Sequence, residues 1–347
     1  MTISHDKIAP LVALLDMPQR VVITIHYNPD GDSLGSSLAL YHLLTAKGHS
    51  VEILAPNTPP PFYGWLPSFG IVRDFLAETA VCVDLIENAT MLFSMDYNEL
   101  SRAGKMEAHL RNAKVPLVLI DHHPDPEDCT PFLFSDTKVS SASELTYQFI
   151  RAMYPNDVLS TKVAECIFTG IMTDTGMFQH NSSRPETFRI VADLLECGID
   201  KDKIKGKVFD TSTTDRLRLT GFCLSEKMVV MPELHAGYIA LSMAELARFN
   251  FQKGDQEGMV NYPLKVDGLC FSALVVESEE LIKISMRSKG NFDVNKLMRK
   301  HFEGGGHRNA AGGRSYDTLE NTVNKLEDVL AMYKAELALT HKDTTEC

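Results

Sequence analysis

Val21-Val-Ile-Thr-Ile25 runs directly into His26-Tyr-Asn-Pro-Asp30-Gly-Asp32-Ser33, and Val115-Pro-Leu-Val-Leu-Ile120 runs directly into Asp121-His122-His123. Each apolar run has the length and branched character of a strand buried on both faces. In an open α/β sheet, groups at the carboxyl ends of such strands converge on the crevice where ligands bind. Carboxylates and imidazoles gathered there suit hard or borderline divalent cations, chiefly manganese, magnesium or iron. Pro29 and Gly31 are turn formers, so His26, Asp30 and Asp32 can face one point on a strand-to-helix turn.

Outward from these runs, strand-like and helix-like patterns alternate. Residues 33–48 carry Leu34, Leu38, Leu43 and Leu44 at helical spacing, with Gly48 as the stop. Residues 51–55 read as a strand, 56–67 as a proline-rich loop, and 91–95 as a strand closing on Asp96. Ser141-x-x-Glu144 fits a capping box at a helix start, and a further helix covers 161–172, just before Asp174. This alternation predicts an α/β fold, with a mostly parallel N-terminal sheet carrying helices on both faces. Taken singly, Asp32 reads as a helix cap, Asp96 as a strand-end cap and Asp174 as a polar helix end. Beside two histidine-bearing strand ends they read better as ligands of a metal pair.

Residues 201–226 are polar and charge-dense, from Lys201 to Lys207 and on to Arg216 and Arg218. Such runs are commonly solvated faces or linkers. The expected layout is therefore a catalytic domain over 1–200, a linker over 201–226, and a smaller α+β domain over 227–347. In the last, strands are expected at 238–241, 269–276 and 281–286, and helices near 243–249, 294–302 and 319–339. Phe302-Glu-Gly-Gly-Gly-His-Arg-Asn-Ala-Ala-Gly-Gly313 reads as a glycine-rich loop. Its three glycines, 304–306, let the backbone approach an anion closely. His307, Arg308 and Asn309 add donors for phosphate and base edges, and Arg287 ends a strand where it can clamp phosphate.

At 347 residues, two domains are expected, and 44% hydrophobic with 23% charged residues is the balance of an ordinary globular protein. No apolar stretch is long enough for a membrane span, and the start lacks the features of a signal peptide. Seven cysteines, scattered and never spaced C-x-x-C, argue against a disulfide framework or a thiolate zinc site. A cytoplasmic location without a membrane partner is expected. The net charge of −12 disfavours tracking along a long nucleic-acid backbone, though not a short phosphorylated ligand.

Together these segments resemble the DHH phosphoesterase superfamily. The matching motifs are His26-Tyr-Asn-Pro-Asp-Gly-Asp-Ser33, Asp96, Asp121-His-His123, Thr173-Asp-Thr-Gly-Met-Phe178, and Gly304-Gly-Gly-His307 with its flanks. Within it the chain is similar to stand-alone NrnA-type proteins, which are oligoribonucleases and 3′-phosphoadenosine 5′-phosphate (pAp) phosphatases. The resemblance implies manganese dependence, with two divalent metal ions, Mn2+ first and Mg2+ or Fe2+ as alternatives. His26 and Asp30 would bind one metal, Asp32, His122 and Asp174 the other, and Asp96 both. His123 would act at the scissile phosphate, oriented by Asp121. Arg287, Gly305, Gly306, His307 and Asn309 would hold short RNA or DNA oligonucleotides or pAp. Gln179-His180 stands where many relatives carry an arginine, so His180 or Arg184 would supply that phosphate contact. A homodimer is left open. The rival reading is a manganese-dependent inorganic pyrophosphatase or exopolyphosphatase, which shares the metal motifs but needs no base-binding groups. A non-catalytic nucleotide-binding regulator would have lost a metal ligand, and none is missing.

Overall fold

The structure, a computed structural model, describes residue 3, residues 5–252 and residues 254–345. By internal contacts the chain divides between residues 211 and 212 into two units. In the first, strands β1 (Arg20–Ile25), β2 (Ser50–Ala55), β3 (Val72–Asp74), β4 (Met91–Met95), β5 (Leu117–Asp121) and β6 (Phe132–Ser135) form one sheet in the order β3-β2-β1-β4-β5-β6. Every pairing is parallel. The helices are α1 (His5–Leu15), α2 (Gly31–Ala46), α3 (Thr79–Glu87), α4 (Glu107–Asn112), α5 (Ala142–Met153), α6 (Thr161–Asp174), α7 (Pro185–Glu196) and α8 (Lys201–Phe209).

Both faces of this sheet are covered, which is why its strands are continuous apolar runs. Val21, Ile23, Ile25 and Phe93 belong to a core shared with α2, α5 and α6, whereas Val22, Leu54 and Leu92 point into another with α3 and α4. The chain leaves β1 toward β2 on one side and returns to β4 on the other. The first motif therefore sits at a switch in strand order, beside the ends of β4 and β5. Strand β5 starts after Pro116, which lacks an amide hydrogen for the ladder. Helix α2 is buried almost all round, and its contact with α6 depends on two glycines. A Cβ on Gly35 would lie 2.5 Å from the Cys166 carbonyl oxygen and 2.9 Å from the Gly170 nitrogen.

The second unit holds α9 (Thr214–Phe222), a π-turn at Cys223–Lys227, β7 (Met228–Met231), β8 (Ala236–Leu241), α10 (Met243–Ala247), β9 (Phe271–Glu277), β10 (Ile282–Ser288), α11 (Val294–His301), β11 (Glu303–His307), β12 (Ala310–Ser315), α12 (Leu319–Met332) and α13 (Lys334–Thr345). Its sheet runs β11-β12-β10-β9-β8-β7 and is mixed, β8 and β9 being parallel and the other pairs antiparallel.

Three expectations need correcting. Residues 201–226, read as a linker, are mostly helical, with a break at 210–213. Ile204 of α8 is buried in the core of the first unit, and Leu219 and Phe222 of α9 are buried in the second. A few apolar residues at helical spacing suffice to anchor each helix. The glycine-rich segment read as a loop is the hairpin β11–β12, closed by a two-residue turn at Arg308-Asn309. The helix expected over 319–339 is interrupted at Tyr333. Among the described residues, no helix is long and apolar enough to cross a membrane. Cys82, Cys129, Cys166, Cys197, Cys223 and Cys270 are free.

Candidate metal centre and phosphate-binding hairpin

The ends of β1, β4 and β5 and the last residue of α6 bring His26, Asp30, Asp32, Asp96, His122, His123 and Asp174 together. Three triads have ligand atoms within 4.8 Å of one another: His26-Asp30-Asp96, Asp32-His122-Asp174 and Asp96-His122-His123. Asp96 turns into the cluster through a left-handed backbone, with φ of 63°.

Local chemistry explains each placement. Asp30, rather than Asp32, caps α2: its carboxylate accepts from the Asp32 and Ser33 amides, both at 3.0 Å. The Ser33 hydroxyl completes a capping box on the Asp30 amide. Asp32 is freed for another task. Buried in the first turn of α2, it accepts from the Ala142 amide at 2.6 Å and the Ser143 amide at 2.8 Å, at the start of α5. Charge-assisted bonds to a helix N-terminus hold a carboxylate firmly. Asp121 is fully buried and accepts from the His123 amide at 2.9 Å, with His123 Nδ1 at 2.6 Å.

The spacings inside the cluster are mostly too long for hydrogen bonds. His26 Nε2 lies 3.3 Å from Asp96 Oδ2 and 3.7 Å from Asp30. His122 Nε2 lies 3.7 Å from Asp96 Oδ1, 3.7 Å from Asp174 and 3.8 Å from Asp32. Asp96 Oδ1 is buried and makes no hydrogen bond among the described residues. An orphaned buried carboxylate oxygen facing two imidazoles is costly by itself, and a cation there relieves it.

The titration shifts tell the same story. Burial, then the charges of Asp32 and Asp30, push the Asp96 carboxyl well above its usual range. Burial, again with Asp32 and Asp30, does the same to Asp174. Burial also raises Asp32, against the pull of His122. Burial disfavours a charged His26, but Asp30 and Asp96 outweigh it and hold its pKa well above the usual imidazole value. Burial would raise Asp30, but His26 and the amides of Ser33 and Asp32 bring it below the usual carboxylate range. Crowded anions that resist ionisation without a counter-charge are the electrostatic signature of a cation site. The donor set, imidazole and carboxylate without thiolate, suits manganese, magnesium or iron.

The expected first-unit phosphate contacts are not drawn to one point. His180 is exposed and its ring lies over Gly176, where a Cβ would be 3.3 Å from Cδ2. It follows a turn in which Gly176, Met177 and Phe178 are all left-handed, with φ of 54°, 60° and 62°. Arg184 sits at the N-cap of α7, with Nη1 4.0 Å from fully buried Glu144 and Nε 3.8 Å from Glu186.

In the second unit, Arg287 on β10 is half-buried; Nη1 donates to the Met286 carbonyl at 2.9 Å, and burial lowers its pKa. It has no carboxylate partner among the described residues. Register places it opposite Ala310, beside the β11–β12 turn. Gly304, Gly306 and Gly313 of the hairpin are steric necessities. A Cβ on Gly304 would lie 2.1 Å from the Gly312 carbonyl oxygen, and one on Gly313 would lie 2.4 Å from Met298 Sδ. Gly305, Gly306 and His307 lie on β11, and the Gly306 amide donates to Asn295 Oδ1 at 2.9 Å. The Asn309 side-chain amide donates to Ser288 Oγ at 2.9 Å and the Gly290 carbonyl at 3.0 Å, so it fastens the hairpin turn to the end of β10.

A parallel sheet with an acid–histidine cluster at its strand ends is the frame of a metal-binding enzyme, and the comparisons name the class. The sequence model described as DHH family, N-terminal domain, matches residues 20–171, and that of the DHHA1 domain matches 236–338. The bifunctional oligoribonuclease and PAP phosphatase NrnA of Bacillus subtilis is 25% identical, covering 91% of this chain and 96% of its own. The protein of the same description from Thermus thermophilus is 29% identical over 84% and 83%. A solved structure from Bacteroides fragilis, described as an exopolyphosphatase-related protein, superposes with a TM-score of 0.94 at 38% identity, covering 96% of this chain and 98% of the other. The chain belongs to the DHH phosphoesterase superfamily, among its NrnA-type members.

Proposed function

We propose that this protein hydrolyses short oligonucleotides from an end and removes the 3′-phosphate of pAp, using two divalent cations, manganese first. The observation that carries the reading is Asp96, whose buried, unbonded Oδ1 lies among the histidines while Oδ2 faces His26. His26 and Asp30 would hold one cation and Asp32, His122 and Asp174 the other, with Asp96 available to both; the triads support this division. Bound there, the cations would supply an activated water and neutralise charge on the phosphoryl oxygens.

The chain's own residues do the rest. Asp32 keeps its aim through the α5 amides and Asp96 through its fixed backbone turn, so the ligand cage is preorganised. His123 Nδ1 is tied to Asp121, which makes Nε2 the atom that passes a proton near the leaving oxygen. Arg287, Gly305, Gly306 and His307 grip a terminal nucleotide, with Asn309 bracing the turn. The names of the NrnA relatives support a nucleotide substrate. The Bacteroides fragilis description favours a second reading, exopolyphosphatase.

The test is a product assay with manganese on pApA, pAp, pyrophosphate and short polyphosphate. AMP from pApA, and AMP with phosphate from pAp, are expected, with slow turnover of the inorganic substrates. Fast polyphosphate hydrolysis without nucleotide hydrolysis would establish the second reading.

A further inference from the structure

The rim of the acid–histidine cluster carries two side chains that the proposed ligand set does not use. Tyr27 directly follows buried His26, yet its side chain is 51% exposed. Its loop is pinned from two sides. The Tyr27 amide donates to the Arg102 carbonyl at 2.8 Å, and the amide of Asn28, left-handed at φ of 58°, donates to Asn57 Oδ1 at 2.7 Å. Gly104 leaves room beside the ring: a Cβ there would lie 3.5 Å from Tyr27 Cδ2 and 3.6 Å from Pro56 Cβ. An exposed aromatic ring on a pinned loop offers a surface for a base to stack on.

Arg102 lies on the turn of 3-10 helix, Leu100–Met106, that follows Asp96. It is half-buried, and its guanidinium has no hydrogen bond or ion pair among the described residues. Its neighbours in the same unit behave differently. Arg73 bonds Glu52 and Glu78, and Arg111 bonds Glu107 and Glu127. The Arg102 carbonyl accepts from the Tyr27 amide, which holds this turn against the residue that directly follows His26. An arginine held at the edge of an acidic cluster without touching a carboxylate is placed for an anion that arrives with the substrate.

We propose that Tyr27 and Arg102 form a nucleotide subsite in the catalytic unit, the tyrosine stacking the base and the arginine holding the phosphate next to it. The proposal rests on the nucleotide reading above and deepens it. A polyphosphate has no face for Tyr27 to stack on, so the pair is also a specificity device.

The test is equilibrium binding to the manganese-loaded full chain, by calorimetry, of pApA whose scissile 3′-oxygen is replaced by a methylene, which blocks cleavage and keeps the charge of the internal phosphate. A second ligand has the same backbone with both bases replaced by hydrogen. Tyr27→Ala should weaken the first ligand about tenfold and leave the second unchanged, with Tyr27→Phe restoring affinity. Arg102→Ala should weaken both roughly tenfold or more, with Arg102→Lys restoring part. Manganese content should not change. Wild-type affinity in both alanine variants overturns the proposal, as does an equal loss of both ligands with Tyr27→Ala that phenylalanine does not repair. If the wild type binds the dinucleotide but does not cleave pApA, the hydrolase reading falls and the subsite stands. If it cleaves pApA while both variants bind normally, the subsite alone falls.

Discussion

Replacing Gly170 by alanine adds one methyl group where the first unit has no room for it. The new Cβ would lie 1.9 Å from Ser143 Oγ, 2.6 Å from Ser143 Cβ and 2.8 Å from Asp32 Oδ1. Relief requires the start of α5 to retreat from α6 by roughly an ångström or more. That movement loosens both amide bonds to Asp32, which is buried and cannot turn to water. Overpacking costs about 1–3 kcal/mol, and loosening a charge-assisted bond to a buried carboxylate adds roughly 1.5–3 kcal/mol. Alanine's better helix propensity returns only about 1 kcal/mol. A net loss of about 2–4 kcal/mol lowers the melting temperature of a unit this size by roughly 5–15 °C. Because Asp32 moves, manganese affinity by calorimetry should fall as well. Gly206→Ala is the matched control: on α8 its Cβ would meet only Asp210 Oδ2, at 3.9 Å, so it should stabilise by about 0.5–1 kcal/mol. Equal melting curves for wild type and Gly170→Ala, with unchanged manganese binding, would refute the reasoning.

Asp96→Asn keeps the shape of the side chain but removes the charge shared by two triads. Manganese stoichiometry should fall in a calorimetric titration and hydrolysis should drop at least about a hundredfold, with the far-UV spectrum unchanged; near-normal turnover would contradict the sharing role. His307→Ala should reduce kcat/KM on pApA roughly ten- to a hundredfold while metal content stays constant, and a loss of metal instead would reassign the residue. In the second unit, burial works to raise the Glu245 carboxyl, but the Lys227 ammonium at 2.6 Å and the Ser242 amide prevail and lower it. Its stabilising contribution is therefore present above the ordinary glutamate pKa near 4.5 and is lost as pH falls through the lower folded value. Glu245→Gln should flatten that acid limb in melts between pH 3 and pH 6, and an unchanged limb would place the acid sensitivity elsewhere.

Much of the first unit was legible because a doubly covered parallel sheet writes itself as short apolar runs, and here the runs at 91–95 and 115–120 end in acids and that at 21–25 in His26. Composition alone did not separate Asp30 from Asp32, two residues apart on one turn; which of them caps α2 depends on the N-terminus of α5, more than a hundred residues away. The edge strands β3 and β6 are short, and their pairing partners rather than their own residues define them. The glycines of 304–306 looked like loop chemistry, yet they are there so that two strands and α11 can touch. Arg102 carried no sequence signal beyond its place six residues after Asp96, because what marks it is the lack of a partner.

The cluster draws on His26 and on Asp174, with five strands, β2 to β6, in between. His26 and Asp30 are neighbours, but each triad is completed only by residues far away in the chain, unlike a calcium loop that carries its ligands within a dozen residues. Such long-range closure is slow to form and comes late, since loop entropy must be met before the distant ends gain from meeting. A cation therefore finds its cage only in the nearly finished unit and cannot guide its assembly. Bound metal should act on the way out of the native state, prolonging its lifetime by slowing unfolding while the refolding rate stays as it was. Protein made under metal starvation would fold at the ordinary pace and then be lost sooner.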